Sequence, residues 1–211
     1  LFAAIHAVVK SGDEVIVFDP AYDSYDPAIR LAGATPVHIP LADDFSIDFS
    51  LLDDHLTQKT SMIIINSPHN PTGTVLSKEA MEQLEQRVVA ENLYLLSDEV
   101  YEHIIFDGEA HQSVNRFAEL AKRSFIVSSF GKTFHTTGWK VGYCIAPPTL
   151  TAEFRKVHQY LTFCTVTPIQ AALADMLQKH PEHYLDLPTF YQQKRDYLRQ
   201  ALANSSFELL P

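Results

Sequence analysis

The chain has few cysteines and no excess of basic residues. Its 211 residues include only Cys144 and Cys164, too few for a disulfide framework and consistent with a reducing cytoplasm. Acidic residues outnumber basic ones by 26 to 16, and the formal net charge is −10. Because a negative surface repels nucleic acid and anionic membranes, we expect a cytoplasmic protein with no nucleic-acid and no membrane partner.

Long hydrophobic runs are also missing. The apolar stretch 62–65 is far shorter than the roughly 20 residues that a membrane-spanning helix needs, although 46% of the residues are hydrophobic and can form a sizeable core. Residues 1–10 lack the basic leader of a signal peptide and are typical of an amphipathic helix. There is no initiator Met, and residues 207–210 look like the start of a strand. We therefore expect an internal piece of a longer protein, truncated at both ends.

Strand-like and helix-like segments alternate along the chain. Such alternation predicts the α/β class, with a mostly parallel sheet and helices on both faces. The segment 141–146 follows the preceding strand after a turn too short for a helical crossover, so it is expected to be antiparallel. The predicted strands are 14–18, 35–38, 61–65, 93–96, 124–128 and 141–146. The predicted helices are 1–9, 27–32, 49–56, 78–91, 114–120, 150–160, 169–178 and 188–203.

A proline-bounded break, HPEHYLDLP, lies at 180–188. Such a break is typical of a domain boundary. The sequence thus predicts a large domain over 1–184 and the start of a second, smaller domain over 185–211.

Four polar clusters follow predicted strands: DPAYDSY, NSPHNPTG, SDEVY and SSFGK. In an open α/β sheet, ligands bind at the carboxyl ends of the strands, so these clusters are expected to share one crevice. SSFGK supplies an amine, Lys132, and SDEVY supplies an acid and a phenol, Asp98 and Tyr101. Pyridoxal phosphate (PLP) chemistry needs an amine for a Schiff base and a carboxylate for the pyridine nitrogen.

Each of these residues also has a plainer interpretation. Asp98 suits a pyridine nitrogen, but SDE also often caps a helix. Asn70 is suited to bind a ring hydroxyl, or is simply the turn residue before Pro71. Tyr22 and Tyr101 fit against a cofactor ring as well as in a core.

A phosphate site is predicted beside this amine. Ser129, Lys140 and the loop amides near them are typical anion ligands, although Lys140 is equally compatible with a solvated surface position.

Two other motifs are weaker. GKT at 131–133 resembles the end of a P-loop, but Ile126 stands where that motif needs glycine. His180 and His183 have a metal-ligand spacing, yet Pro181 interrupts the helix and no further ligand supports zinc. We expect both histidines at the surface beside a linker, and no metal site.

NSPHNPTG, SDEVY and SSFGKTFHTTGWKVGY, in this order, resemble the fold-type I aminotransferases of classes I and II. TGWKVG and RKVHQYLTF are most similar to the branch of methionine aminotransferases and kynurenine or glutamine transaminases. The resemblance covers essentially the whole chain. It implies an aspartate aminotransferase-like large domain that binds PLP.

By this resemblance, Lys132 is the catalytic Schiff-base lysine and Asp98 the partner of the pyridine nitrogen. Asn70 and Tyr101 hold the ring oxygen, Tyr22 stacks on the ring, and Ser129 binds phosphate. Lys140 stands where many members carry arginine, and an ammonium lacks the bidentate contact that a guanidinium makes. The family usually has a cis peptide at the position of Asn70–Pro71.

The resemblance further implies transamination of an amino acid. The candidate substrates are methionine, aromatic amino acids and glutamine, and the acceptor is a 2-oxo acid. The alternative within the same fold is a PLP-dependent carbon–sulfur β-lyase. Family members are usually homodimers. The phosphate turn of the family corresponds to positions before Leu1, and its substrate-carboxylate arginine to positions after Pro211. We therefore expect the isolated 211-residue chain to be nearly inactive. We also expect the strand at 141–146 to lie at an unpaired edge of the sheet.

Overall fold

The computed structural model describes residues 1–207 and 209, and these contain a six-stranded sheet. The strands lie in the order β2-β1-β3-β4-β5-β6. β1 to β5 are parallel, and β6 is antiparallel to β5. The six predicted strands and the antiparallel direction of the last are therefore confirmed. The strands are β1 (Glu14–Asp19), β2 (Thr35–Pro40), β3 (Thr60–Asn66), β4 (Tyr94–Asp98), β5 (Ser124–Ser129) and β6 (Gly142–Ile145).

Helices connect the strands, and side-chain caps mark where several of them begin. The Asp48 carboxylate accepts the N–H groups of Ser50 and Leu51 at the start of α3, and Ser77 caps α4 in the same way; both caps satisfy first-turn donors. Short 3₁₀ turns lie at Val114–Arg116 and Thr137–Trp139. The α-helices are α1 (Phe2–Val8), α2 (Tyr25–Leu31), α3 (Phe49–His55), α4 (Lys78–Ala90), α5 (Ala118–Ala121), α6 (Phe130–Thr133), α7 (Pro148–Leu161), α8 (Thr167–Lys179) and α9 (His183–Leu202).

The sheet separates two hydrophobic clusters, one on each face. Successive side chains of a strand point to opposite faces, so Ile63 of β3 packs in one cluster and Ile64 in the other. The first cluster includes residues of α3 and α4, such as Leu52 and Leu84. The second includes residues of α1, α2 and α7. Helices thus cover both faces, as the alternation of strands and helices predicts.

The C-terminal helix differs from its prediction. α9 begins at His183, five residues before the predicted start, and contains Pro188. Proline has no N–H to donate to the carbonyl of Tyr184, but the adjacent Leu187 is buried and anchors this turn. The division into domains at 184/185 stays a prediction. The strand expected over 207–210 lies partly outside the described residues.

The connections place the carboxyl ends of β1, β3, β4 and β5 along one edge. From β1 the chain proceeds to β2 on one side and then returns to β3 on the other. A ligand crevice forms where the strand order reverses in this way. β6 lies at the end of the described sheet, in agreement with the predicted edge.

Among the described residues, no helix combines the length and apolar character needed to cross a membrane.

Candidate active site

A cavity of about 530 Å³ lies at the carboxyl ends of the parallel strands. All seven residues singled out from the sequence line it, so the four polar clusters do share one crevice. This size is within the usual range for small-molecule sites. The seven residues are Tyr22, Asn70, Asp98, Tyr101, Ser129, Lys132 and Lys140.

The loop around Lys132 is a short helical turn braced by hydroxyl groups. Ser129 ends β5, and its Oγ accepts the N–H of Gly131 at 2.9 Å. Thr137 Oγ1 donates to the Gly131 carbonyl at 3.0 Å. A Cβ at Gly131 would lie 2.9 Å from the Cα of Thr137, so only glycine permits this close approach. The brace fixes the backbone next to Lys132, whose Nζ lies 5.5 Å from the centre of the Tyr101 ring.

Asp98 is a buried carboxylate at the end of β4, with 7% of its surface exposed. The Tyr25 hydroxyl donates to Oδ2 at 3.0 Å, and the Val100 N–H donates to Oδ1 at 3.3 Å. Burial raises the pKa of the Asp98 carboxyl, whereas these two hydrogen bonds oppose the rise because they favour the charged form. The arrangement holds a carboxylate in fixed orientation beside the cavity.

Asparagine side chains connect β3 to Asp98. Asn66 Nδ2 donates to the Asp98 carbonyl at 2.8 Å, and Asn66 Oδ1 accepts the Asn70 N–H at 2.7 Å. The Asn70–Pro71 peptide is cis, which confirms the prediction, and Ser67–Pro68 and Asp19–Pro20 are also cis. Asn66 thus sets the position of Asn70 relative to β4.

Ser129 and Lys140, the two residues predicted to bind phosphate, both line the cavity. Ser129 Oγ donates to the Val141 carbonyl at 3.3 Å. Lys140 has a left-handed backbone with φ 55°, which is uncommon for a non-glycine residue. This conformation ends the 3₁₀ turn at Thr137–Trp139 and places Lys140 in the cavity lining.

Tyr22 borders the cavity mouth and is 40% exposed. Its ring meets the Tyr25 ring edge to face, with 5.7 Å between their centres. Tyr22 therefore rests on α2 through Tyr25 and leaves part of its own ring free.

Three contributors were not predicted: Tyr25, Asn66 and Tyr143. The sequence gives only a weak indication of Tyr25, which stands three residues after Tyr22 and begins α2. Tyr143 lines the cavity, and its hydroxyl donates to Glu102. Burial, reinforced by this hydrogen bond, raises the pKa of Tyr143 to about 12. No local pattern in the sequence pairs Tyr25 with Asp98 or Tyr143 with Glu102, because these partners lie 73 and 41 positions apart.

Glu99 anchors the SDEVY turn from the opposite face of the sheet. It is 2% exposed, and its carboxylate accepts hydrogen bonds from Ser97 Oγ and the Val114 N–H and contacts His111 Nε2 at 2.8 Å. Burial acts to raise the pKa of Glu99, but the contacts with His111 and Val114 outweigh it and hold this pKa below its usual value. Asp98 and Tyr101 are therefore attached to a fixed turn.

The structure gives little support to Cys144 as a nucleophile or to His180 and His183 as metal ligands. Cys144 lines the cavity, but burial raises the pKa of its thiol to about 11, so it stays protonated near neutral pH. His180 is exposed as predicted. The surface position predicted for His183 is wrong, because its Nε2 lies 2.9 Å from the Thr133 carbonyl and its ring stacks on Phe134. It packs there because α9 starts early enough to reach the Lys132 turn.

Comparison with known proteins identifies the family. The family model described as aminotransferase class I and II matches residues 1–211. The chain is 52% identical to the methionine aminotransferase of Escherichia coli K12 over 212 residues, covering 100% of this chain and 55% of that protein. It is 37% identical to the kynurenine–oxoglutarate transaminase of Dictyostelium discoideum over 228 residues, covering 99% of this chain and 52% of that protein.

A solved structure is similar to this chain in both fold and sequence. The E. coli protein YbdL, for which a methionine aminotransferase function was identified, superposes with a TM-score of 0.97 at 52% identity, covering 100% of this chain and 56% of YbdL. This chain spans about half the length of the curated relatives that it matches. The order of its strands, the cavity at their ends and these similarities lead to one conclusion: the chain belongs to the class I and II aminotransferases.

Proposed function

We propose that the protein is a PLP-dependent aminotransferase that converts an amino acid to its 2-oxo acid and aminates a second 2-oxo acid. The observation that carries the proposal is that Lys132 and Asp98, an amine and a buried carboxylate, line the same cavity. Members of the class I and II family are PLP-dependent, and the named relatives are a methionine aminotransferase and a kynurenine–oxoglutarate transaminase.

The residues present fit PLP. A pyridine nitrogen requires a carboxylate in a fixed orientation, which Asp98 provides through its two hydrogen bonds. A phosphate requires donors and a cation, for which Ser129 and Lys140 are suited. An aromatic ring requires a flat neighbour with free surface, which Tyr22 has. Asn70 and Tyr101 supply polar groups for the ring oxygen.

PLP, when bound, supplies an electron sink that stabilises negative charge at the α-carbon of an amino acid. The ionised Asp98 would strengthen that sink, because a nearby negative charge favours a protonated pyridine nitrogen. Lys132 would attach the cofactor through Nζ and, once displaced by the substrate amine, carry the proton from the α-carbon. The braced turn at Gly131 limits where Nζ moves.

Substrate choice follows from the relatives: methionine first, with aromatic amino acids or glutamine as further candidates and a 2-oxo acid as acceptor. We also propose that the complete protein is a cytoplasmic homodimer. Cys144 and Cys164 are both free, which fits a reducing compartment.

The test is a substrate screen on the complete protein supplied with PLP. Methionine, aromatic amino acids and glutamine are each paired with several 2-oxo acids, and the new 2-oxo acid and the aminated acceptor are measured. Lys132→Ala should lower turnover by about 10⁴-fold or more, because attachment and proton transfer are both lost. Lys156→Ala, which changes an exposed lysine of α7, should retain normal turnover.

Undiminished turnover in Lys132→Ala would contradict the proposal. So would the release of pyruvate and ammonia from cysteine conjugates without any aminated acceptor, which would identify a β-lyase instead.

A further inference from the structure

Tyr25 contacts Asp98 without lining the cavity. It is the first residue of α2 and is 3% exposed. Its hydroxyl lies 3.0 Å from Asp98 Oδ2, across 73 positions of sequence. The residues that line the cavity include Asp98 but not Tyr25, so Tyr25 reaches the carboxylate from the side facing the protein interior.

Each of the two carboxylate oxygens of Asp98 accepts one hydrogen bond. Oδ2 accepts from Tyr25, and Oδ1 accepts from the Val100 N–H. Each carboxylate oxygen has two lone pairs, so both retain the capacity to accept from a group in the cavity. Two donors from different elements, α2 and the turn after β4, fix the plane of the carboxylate.

The direction of the Tyr25 hydrogen bond follows from its surroundings. Burial, reinforced by the charge of Asp98, raises the pKa of Tyr25 far above its usual value, so the phenol keeps its proton and acts as the donor. The same hydrogen bond opposes the rise that burial causes in the pKa of Asp98. A donor at this position therefore favours the ionised carboxylate.

The segment that carries Tyr25 also carries Tyr22, whose ring rests edge to face against it. Ala28 and Ile29 of α2 are buried in the hydrophobic cluster shared with β1 and β3. A single anchored segment therefore contacts both Asp98 and the aromatic side chain at the cavity mouth.

We propose that Tyr25 is a positioning residue that orients the Asp98 carboxylate and keeps it ionised for the pyridine nitrogen of PLP. This inference rests on the proposed function, since it needs PLP in the cavity. Tyr25 acts through Asp98, because its side chain is not part of the cavity lining.

The test measures PLP affinity in the complete protein, by titrating the cofactor-free form and following visible absorbance. Tyr25→Phe removes one oxygen and keeps the ring, and it should weaken PLP binding about tenfold, the size of one hydrogen bond to a charged group. The pH titration of the bound cofactor's visible band should also shift. Tyr94→Phe, on the same strand as Asp98 but outside the cavity lining, should change neither measurement.

The decisive comparison repeats Tyr25→Phe in an Asp98→Asn background. If Tyr25 acts through Asp98, the replacement should then change PLP affinity by less than about twofold, because the coupling between contacting residues is lost. An equal loss in both backgrounds would mean a merely structural role and would overturn the inference, as would an unchanged affinity in Tyr25→Phe alone. Tyr25→Met, which also lacks the donor, should likewise weaken PLP binding in the Asp98 background and serves if the Phe variant does not fold.

Failure of this inference is separable from failure of the proposed function. If the wild-type protein binds PLP through Lys132 but Tyr25→Phe has no effect, only the role of Tyr25 is overturned. If the wild-type protein binds no PLP, both are overturned.

Discussion

At the scale of single residues, Asp98 is a charged group whose burial lowers the stability of the fold. It is a carboxylate with 7% exposure at the end of a central strand. Removing such a group from water disfavours its charged form, and one hydroxyl and one backbone N–H offset part of that effect. Burial alone disfavours a charge at this position, so the acid is explained by what it faces in the cavity.

Asp98→Asn should stabilise the cofactor-free protein while weakening PLP binding. The folded-state pKa of Asp98 is raised above its usual 3.8. The stability linked to this group is therefore complete below pH 3.8 and is lost as the pH rises through the folded-state pKa. Asparagine removes that loss, so urea unfolding at pH 7 should show a higher midpoint for the variant than for the wild type, and the gain should shrink as the pH falls towards 3.8.

The matched control for this prediction is Asp175→Asn, an exposed carboxylate of α8, which should show no comparable gain. A lower stability of Asp98→Asn than of wild type at pH 7 would contradict the assignment of a strained, buried charge.

The residues that the sequence predicts well are those whose position follows from a strand end. Asp98 and Ser129 are the last residues of β4 and β5, and Asn70 lies four residues after the end of β3, so their place at one edge is a consequence of parallel pairing. Tyr25 is different, because it acts through a partner 73 positions away and stands at the start of an ordinary amphipathic helix. Pairings of this kind depend on how α2 packs on the sheet, which periodicity does not specify.

At the scale of elements, a histidine joins three pieces of the Tyr22 side of the site. His38 of β2 lies 2.9 Å from Asp19 at the end of β1 and 2.7 Å from Asp26 in the first turn of α2. Carboxylates only accept hydrogen bonds, and both ring nitrogens donate only in the imidazolium form. The hydrogen bond with Asp19, with further contributions from both carboxylates, raises the pKa of His38 despite partial burial.

His38→Gln should therefore lower stability at pH 6 but not at pH 9. A raised folded-state pKa means that the stabilisation is fully present below the usual value of 6.5 and is lost as the pH rises through the folded-state pKa. The measurement is the urea midpoint of wild type and variant across this range. His180→Gln, which changes an exposed histidine, should show no such pH-dependent difference, and a constant difference for His38→Gln would contradict the account.

Strands were easier to predict than helix ends. The centres of β3 (Met62–Ile65) and β5 (Phe125–Val127) are continuous apolar runs because both faces of the sheet are buried there, and such runs have clear limits. The predicted start of α9 is wrong because Pro188 indicates a boundary locally, whereas contacts of His183 with Thr133 and Phe134 hold the preceding turn in the helix. Tertiary packing decided that boundary.

At the scale of the whole molecule, the two clusters on either side of the sheet hold the strand ends in register. Ile16, Ile63 and Leu95 pack on one face, while Val17, Ile64 and Leu96 pack on the other. Because five parallel strands end at the same edge, residues from distant segments converge there without long loops. The α/β class and the location of the cavity follow from this alternation, but its size and shape depend on side-chain packing.

The most direct test of the account is to reduce the complete, PLP-loaded protein with borohydride and locate the labelled lysine by peptide mass spectrometry. The account predicts a reduced PLP label on the peptide that contains Lys132, at Nζ of that residue, and no label in Lys132→Ala. Lys140, the other lysine of the cavity lining, is the internal control and should stay unlabelled. A label on Lys140, or none on either lysine, would contradict the central claim that Lys132 carries the cofactor opposite Asp98.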